Sequence, residues 1–357
     1  MKDNAFPVFF LAANSGDGFI YRFRENYDPA NGWHAYIIKG GPGTGKSSFM
    51  RKCAVSAAQR GAQVILCPCS SDPDSLDGVI LPKEKKIILD GTAPHVVEPL
   101  YPALCEQIVN TGEYWNADKL KGSEKELISL FGKHSLIHKR AAQYINAAGQ
   151  LAKYNLSAAL NVTDIDKVMK FATGLSKKNI PYRKHGNGRE WVRFLGGITP
   201  KGPVFYGKTI NSMCDNIFVI ADSYGAVSSI ILSVVRDYAI MNGYEIITVK
   251  NPLLPNDITD HIIIPELKIA FCRETDDMPI ITDTRRIHAR RFMNMADLHK
   301  KRQRIIFNKR VCRELLDTAA QTLSEAKSLH DVIEQFYINI MDFDALNSFA
   351  KDFAEKF

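Results

Sequence analysis

Apolar and polar positions follow two different patterns along the chain. Short apolar runs, such as the one at 36–38, predict β-strands. Residues 97–173 and 285–357 instead carry helix formers with apolar residues three and four positions apart, as at Leu127 and Phe131, which predicts helices. Strands that alternate with helices are typical of a parallel sheet with crossover helices, so we expect an α/β fold.

The two halves of the chain repeat the same order of patterns. The matching pairs are 10–18 with 194–202, 36–38 with 217–219, 64–66 with 246–248, 76–90 with 259–272 and 164–171 with 342–349. In these pairs Asp77 falls on Asp260 and Pro82 on Pro265. The conserved order over both halves predicts a tandem duplication, and therefore an intramolecular pseudo-dimer.

The predicted duplication divides the chain into two domains. Residues 174–193 are rich in glycine, proline, asparagine and basic residues and lack a periodic apolar pattern, which is typical of a linker. We expect a first domain over 1–175, a linker over 176–190 with the boundary near residue 185, and a second domain over 191–357. Each domain is expected to have a small α/β core followed by a helical extension.

The composition supports two globular domains and excludes other classes of protein. The chain has 357 residues, of which 45% are hydrophobic and 24% charged, so it is neither disordered nor fibrous. The longest apolar runs are shorter than the roughly 18 residues that a membrane span needs, and the N-terminus has no signal-peptide cleavage pattern. We therefore expect no membrane partner. Seven scattered cysteines favour the reducing cytoplasm, and the net charge of +7 does not by itself indicate nucleic acid.

One segment fits the phosphate-binding pattern G-x-x-x-x-G-K-[ST] in full. Its glycines allow the backbone N–H groups to turn onto phosphate oxygens, and the helix predicted after it adds a positive dipole end. Lys46 is expected to bridge the β- and γ-phosphates of ATP, and the Ser47 hydroxyl to bind Mg²⁺. The residues predicted to hold the nucleotide are Gly40, Gly41, Pro42, Gly43, Thr44, Gly45, Lys46, Ser47 and Ser48. Together with the strand before it and the helix after it, this loop predicts three-layer cores like those of P-loop NTPases.

A second acid for the metal is predicted at Asp90. It ends the apolar run 86–90, as expected for a strand whose final carboxylate holds a Mg²⁺ water near Ser47. A strand-end aspartate that caps the next turn is the alternative interpretation. Gly91 follows Asp90 where many ATP-hydrolysing motors have a glutamate, which leaves fast hydrolysis open. The guanine-reading motif Asn-Lys-x-Asp does not occur in the sequence, so ATP is favoured over GTP.

The loop 69–77 carries three carboxylates, Asp72, Asp74 and Asp77. At the sheet edge of the phosphate loop they are candidate catalytic groups that orient a water or a substrate hydroxyl. The alternative is a solvated turn in which Asp72 and Asp74 act as caps. The pair Cys67 and Cys69 is a weak metal signal without a second pair. His95 follows in the next loop and is more simply a structural histidine.

The second half is predicted to have lost its nucleotide site. The repeat alignment places Asp222 on Gly41, Ala226 on Gly45 and Val227 on Lys46, so the loop lacks its cation. It also places Cys272 on Asp90, so the metal acid is missing. We expect one nucleotide per chain and a second half that supports or regulates the first.

The helical part of the second half is strongly basic. Residues 285–313 hold eleven lysines and arginines against a single acid, Asp297. Such a stripe suits the backbone of a nucleic acid, or can supply an arginine finger in cis to the γ-phosphate. A solvated helix face is the simplest interpretation, and nucleic acid is the less favoured partner.

These motifs together resemble a known family. The segments that carry the resemblance are KGGPGTGKSS, CSSDPDSLDGVILP, ILDGTAPHVVEP, FLGGITPKG and the terminal HD with YINIMDF. They resemble the duplicated P-loop proteins of bacteria that are described as hypothetical ATPases, over nearly the whole chain. The resemblance implies ATP or another nucleotide at residues 40–48 and Asp90, and it implies no particular substrate.

The sequence therefore predicts a P-loop NTPase with one active half. Either ATP is hydrolysed slowly to drive a movement between the halves, or its γ-phosphoryl passes to a small acceptor held by Asp72, Asp74 and Asp77, as in a nucleotide kinase. The third alternative, from a different class, is a nucleotide-gated protein that binds nucleic acid without fast turnover.

Overall fold

The computed structural model describes residues 6–184 and 186–357 as a mixed α/β fold. The strands of the first half are β1 (Ala12–Ser15), β2 (Gly18–Tyr21), β3 (His34–Lys39), β4 (Ile65–Pro68), β5 (Leu76–Leu81), β6 (Lys86–Asp90) and β7 (Glu106–Asn110). Its helices are α1 (Lys46–Gln59), α2 (Glu124–Leu160) and α3 (Ile165–Asn179).

The second half contains eight strands and five helices within the described residues. The strands are β8 (Glu190–Arg193), β9 (Gly196–Thr199), β10 (Gly202–Phe205), β11 (Asn216–Ala221), β12 (Ile246–Lys250), β13 (Thr259–Ile264), β14 (Ile269–Glu274) and β15 (Ile287–His288). The helices are α4 (Lys208–Met213), α5 (Ala226–Met241), α6 (Met295–Lys300), α7 (Arg302–Ile338) and α8 (Phe343–Lys356).

Both large sheets combine parallel and antiparallel strands, which confirms the α/β fold and corrects the expectation of a parallel sheet. The first has the order β4-β5-β6-β3-β7, with β3 parallel to β6 and β7 and β5 antiparallel to β4 and β6. The second has the order β15-β11-β14-β13-β12-β8, with β13 antiparallel to both neighbours. The physical reason is connection length, because residues 82–85 between β5 and β6 allow only a hairpin turn, whereas a parallel crossover needs about a dozen residues.

The two sheets share one hydrophobic core, which corrects the expectation of separate three-layer units. Ile87 and Leu89 of β6 lie in the same buried cluster as Val219 of β11 and Ile263 of β13. Ile88, which points to the opposite side of the first sheet, packs in the cluster that contains α1 and α8. The outer side of the second sheet packs against α3 and α5. The layers are therefore helix, sheet, sheet and helix.

The last helix of each half, α3 or α8, packs on the other half of the chain. The long helices α2 and α7, each of 37 residues, lie side by side and carry the chain from one half to the other. Helix α8 covers α1, with the Phe49 and Phe353 rings 5.1 Å apart between centroids. Helix α3 covers α5 in turn, and Val168 packs in one cluster with Ile231. The outer face of each sheet thus depends on a helix from the other half.

The segment predicted as a linker is shorter in the structure. Helix α3 continues to Asn179 and β8 begins at Glu190. The predicted boundary near residue 185 lies outside the described residues, as do the first five residues of the first domain. Elsewhere the halves are joined directly, because Phe10 and Phe194 exchange backbone hydrogen bonds of 2.8 and 2.9 Å.

Within residues 6–184 and 186–357, no helix combines the length and the apolar character needed to cross a bilayer.

Candidate functional site

The glycine-rich loop lies between the central strand β3 and helix α1. Gly43 and Gly45 have φ angles of 67° and 78°, which side chains other than glycine rarely adopt. Gly45 directly precedes α1, so the first backbone N–H groups of the helix open towards the loop. The sequence-predicted loop and its strand and helix context are thus brought together.

Lys46 curls back over the loop. Its ammonium donates to the carbonyl oxygens of Gly41 at 2.8 Å and Gly40 at 3.3 Å. It also lies 3.7 Å from Oδ2 of Asp90, and both side chains are largely buried. The structure therefore places the predicted phosphate-binding lysine and the predicted metal acid side by side.

Asp90 has two roles in the geometry, one for each carboxylate oxygen. Oδ1 accepts from the Thr92 N–H at 2.9 Å and from the Thr92 hydroxyl at 2.6 Å, which is the turn cap considered as the alternative. Oδ2 faces Lys46. Ser47 Oγ accepts from the Leu76 N–H at 3.0 Å, which fixes the hydroxyl beside the start of β5.

These groups fit a magnesium nucleotide. Mg²⁺ uses one or two protein oxygens and completes its shell with water and phosphate, so Ser47 and Asp90 form an adequate donor set. Within the described residues no group of three or more His, Cys, Asp or Glu side chains is arranged to hold a metal by itself. Cys67 and Cys69 therefore belong to no such group. All seven cysteines are free thiols.

The three loop carboxylates point to different partners. Asp72 caps its own turn, with Oδ2 accepting from Ser75 Oγ at 2.8 Å. Asp74 is exposed and accepts from Lys201 Nζ at 2.6 Å. Asp77 is buried in β5. The structure thus leaves Asp72 and Asp74 in the loop and places Asp77 in β5, and the three carboxylates are not directed at one point.

Asp77 has a partner that the sequence interpretation ranked low. Nε2 of His95 lies 3.6 Å from Oδ1 of Asp77, and both side chains are buried. Burial by itself lowers the pKa of His95, but the Asp77 carboxylate more than offsets this, so that the pKa is raised above its usual value. The pair is a buried charge contact beneath the site.

Side chains of α7 and α8, from the second half, cover the glycine-rich loop. The Gly43 N–H donates to Oε1 of Glu334 on α7, with 3.2 Å between nitrogen and oxygen. A Cβ atom added at Gly41 would lie 3.0 Å from the Tyr337 ring, and one at Gly45 would lie 3.0 Å from Leu346 of α8. Lys327 Nζ lies 3.5 Å from Oδ2 of Asp72. The end of α7 and the start of α8 therefore contact the loop directly.

Glu334 is held as a carboxylate at this position. Its Oε1 lies 3.3 Å from Nε2 of His330 one turn earlier. The hydrogen bond to His330 lowers the pKa of Glu334, burial works against this, and the Gly43 N–H lowers it further. The Glu334 carboxylate thus accepts a hydrogen bond from one of the backbone N–H groups that were predicted to contact phosphate.

The corresponding loop of the second half has a different register from the one predicted. Gly225, with φ 82°, directly precedes α5 as Gly45 precedes α1, so the predicted alignment of Ala226 with Gly45 is wrong by one position. Ala226, rather than Val227, then stands where Lys46 does. The cause is a shorter loop, with only residues 222–224 between β11 and Gly225.

The predicted pairing of Cys272 with Asp90 is also wrong by one position. Asp90 lies opposite Ile38, the fifth residue of β3, and Arg273 lies opposite Ile220, the fifth residue of β11. Arg273 NH1 donates to Oδ1 of Asp260 at 2.7 Å in the protein interior. A buried arginine therefore stands in the position of the metal acid.

Asp222 fills the anion-binding position of its own loop. Its carboxylate accepts from the N–H groups of Tyr224, Gly225, Val227 and Ser228 at 2.8–3.1 Å. The Arg273 Nε donates to the Asp222 carbonyl oxygen at 2.9 Å. N–H groups that would cradle a phosphate are thus satisfied by the chain itself.

The basic stripe lies at the opposite end of α7 from the phosphate loop. From Arg313, the last cation of the stripe, to Glu334 the helix rises about 30 Å. The alternative that the α7 part of the stripe supplies an arginine finger to the γ-phosphate is therefore wrong.

Sequence reasoning missed Glu334, Tyr337 and Arg273. The first two had no local signal, because their role depends on α7 crossing to the other half. Arg273 was detectable, since the apolar run before it ends one residue later than the alignment assumed.

No family model, curated protein or solved structure matches the chain.

Proposed function

We propose that this protein is a P-loop NTPase that binds one ATP with Mg²⁺ in its first half. The observation that carries the proposal is the strand, glycine loop and helix at residues 34–59, with Lys46 and Asp90 3.7 Å apart at its centre. Backbone N–H groups turned inward by positive φ, a lysine and a strand-end aspartate are the groups that phosphate and Mg²⁺ require.

Each residue has a distinct task in this proposal. The backbone of residues 40–48 cradles the phosphates, and Lys46 leaves the carbonyl oxygens of Gly40 and Gly41 to contact the β- and γ-phosphates. When bound, Mg²⁺ would supply positive charge beside the transferred phosphoryl group, and Ser47 and Asp90 are the residues that would hold it.

The direct test is isothermal titration of Lys46→Ala with MgATP. Loss of a charge-assisted phosphate contact of about 1.5–3 kcal/mol should weaken binding roughly 10- to 100-fold. Lys83→Ala, which removes an exposed cation of the same half, is the matched control and should bind like the wild type. Unchanged MgATP binding by Lys46→Ala would rule out the assignment of residues 40–48 as the nucleotide site.

The metal role has its own variant. Asp90→Asn should bind metal-free nucleotide with nearly the wild-type affinity. It should lose most Mg²⁺-dependent turnover, because the carboxylate charge near the metal shell is gone. Normal turnover by this variant would leave Asp90 only its observed role as a cap for the turn at Thr92.

Phosphoryl transfer to a small acceptor is the second candidate. The observation that favours it over rapid hydrolysis is that Gly91, rather than a glutamate, follows Asp90. In this form Asp72 and Asp74 are the loop carboxylates that can turn to an acceptor, because Asp77 is buried beside His95. ATP turnover with and without a panel of nucleosides and sugars distinguishes the two, since hydrolysis gives free phosphate in the absence of any acceptor.

We further propose that the halves are a tandem duplication and that the second is a degenerate partner. Support comes from the paired hairpins β1-β2 and β9-β10, the left-handed glycines before α1 and α5, and the equal lengths of α2 and α7. The seven free thiols support a reducing compartment such as the cytoplasm.

A further inference from the structure

A concave groove lies between the start of α7 and the loop after β11. Its cavity of about 260 Å³ is lined by Tyr224, Leu298, Arg302, Ile305 and Lys309, among others. We call this cavity the basic groove. A second cavity of about 490 Å³, which extends to Glu274 and Asp276, shares Tyr224 and Leu298 with it. The groove therefore continues along the carboxyl edge of the second sheet.

Several cations near the basic groove have acidic partners among the described residues, whereas the cations of the groove do not. Arg286, Lys300, Arg310 and Arg313 form ion pairs with Glu274, Asp297, Glu314 and Asp277. Arg302 and Lys309 have no ion pair within the described part of the chain, and both are exposed. An unpaired cation keeps its charge available for an external anion.

Cations lie beside aromatic rings at the start of α7, both in the basic groove and on the opposite side of the helix. Lys309 Nζ lies 5.0 Å from the centroid of the Tyr224 ring. The Arg304 guanidinium lies 5.6 Å from the Tyr154 ring and 5.7 Å from the Phe307 ring. Tyr154 and Phe307 are each 45% exposed. Phosphate-binding charges and flat faces for bases are thus available together.

We propose that the basic groove binds single-stranded nucleic acid, with phosphates at Arg302 and Lys309 and a base against Tyr224. A single strand presents unstacked bases beside its phosphates, whereas a duplex keeps its base faces covered. An anionic membrane is less suitable because Leu298 and Ile305 form a buried floor. The two exposed apolar side chains of the lining, Met295 and Ile306, are far fewer than the apolar face that an amphipathic helix buries in a membrane. This inference does not depend on nucleotide binding in the first half.

The dimensions of the face suit a short stretch of strand. Helix α7 rises about 17 Å from Arg302 to Arg313, which is the length of a few nucleotides of an extended strand. Glu274 and Asp276 of the adjoining cavity lie beyond Tyr224, so the phosphates are expected on the α7 side.

The test is fluorescence anisotropy of the full chain with a labelled mixed-sequence single-stranded 20-mer at several salt concentrations, without ATP. Replacing Arg302 and Lys309 together with alanine should raise Kd about tenfold or more at 0.15 M salt. It should also reduce the slope of log K against log salt by about 1.4, because two phosphate contacts are lost. The control Lys133→Ala with Lys139→Ala removes two exposed cations from α2 and should change neither quantity.

The aromatic contact has a separate readout. Tyr224→Leu should weaken binding about tenfold without changing the salt slope, and Tyr224→Phe should bind like the wild type, because stacking needs the ring rather than the hydroxyl. Thermal unfolding checks that each variant is folded. Equal affinity for a duplex or for polyphosphate, binding only to phosphatidylserine vesicles, or absence of oligonucleotide binding at 0.05 M salt would each overturn the proposal.

Discussion

The Glu334 carboxylate accepts a hydrogen bond from the Gly43 backbone N–H, with 3.2 Å between Oε1 and N. Glu334 belongs to α7 of the second half and Gly43 to the phosphate loop of the first. A carboxylate in this position uses a donor that the proposed nucleotide would need, and its charge repels phosphate. Asp222 has the same relationship to its own loop, where it is part of the loop rather than a neighbour.

Removing the Glu334 side chain should strengthen nucleotide binding. The nucleotide would no longer have to break a hydrogen bond to a charged group, worth about 1.5–3 kcal/mol, so Glu334→Ala should bind MgATP about tenfold more tightly. Isothermal titration measures this. Asp331→Ala, which removes another acid from the same helix, is the control and should leave affinity unchanged. Weaker binding by Glu334→Ala would show that the carboxylate assists the nucleotide.

Asp222 should be essential to the stability of the second half. Asp222→Asn replaces a carboxylate that accepts four backbone N–H groups, and should lower the free energy of unfolding by about 3 kcal/mol. Denaturant unfolding provides the value. The exposed Asp237→Asn should cost less than about 1 kcal/mol. A fully stable Asp222→Asn protein that binds a second ATP would contradict the interpretation of this loop as closed by its own aspartate.

The exchange of terminal helices should make each half depend on the other. Leu346 of α8 is buried in the cluster that contains α1 and approaches Gly45. Leu346→Ala should lower the free energy of unfolding by about 3 kcal/mol, against little change for the exposed Asp352→Ala. A chain that ends at residue 184 lacks α8 altogether, and we expect it to be insoluble. A soluble, folded first half would contradict this dependence.

The sequence was most informative where the structure is local. The loop from Gly40 to Ser47 follows from glycine positions and flanking apolar runs, because positive φ and a helix start are decided within a few residues. The mixed sheet was not foreseen, since short hairpin connections such as 82–85 were not weighed against the crossover pattern. The one-residue error at Ala226 arose because the second loop is shorter. The pairing of Asp90 with Cys272 was a separate error, since Asp90 follows Pro82 by eight residues and Arg273 follows Pro265 by eight residues.

Contacts between distant segments could not be predicted from either half alone. Glu334 reaches Gly43 only because α7 carries the chain back to the first half, and nothing in the residues around Glu334 indicates that path. The shared core is similar, since the alternation at Ile87, Ile88 and Leu89 predicts two buried faces but not that one of them meets a second sheet.

Acid should destabilise the protein partly through His261. Its imidazole is fully buried, and within the described residues neither ring nitrogen has a hydrogen-bond partner. Burial lowers the pKa of His261 from 6.5 to about 4; the Asp260 carboxylate works against this and Arg273 adds to it. The unfolded chain then binds one more proton between about pH 6.5 and 4, so stability present above pH 6.5 is lost as the pH falls.

The variant His261→Leu should therefore reduce the acid sensitivity. The loss of unfolding free energy per pH unit should become smaller by up to about 1.4 kcal/mol in this range, as measured by denaturant unfolding at several pH values. Burial lowers the pKa of His134 as well, so some sensitivity should persist. The exposed His34→Gln should keep the wild-type slope, and an unchanged slope in His261→Leu would exclude this contribution.

The most direct measurement of the central claim is the stoichiometry of nucleotide binding. Titration of the full chain with MgATP should give one site per chain, because the first loop has Lys46, Ser47 and Asp90, whereas Asp222 already accepts the N–H groups of the second loop. The Lys46→Ala protein should bind at the same single site about 10- to 100-fold more weakly. Two nucleotides per chain, or one nucleotide that Lys46→Ala binds as tightly as the wild type, would contradict a single nucleotide site in the first half.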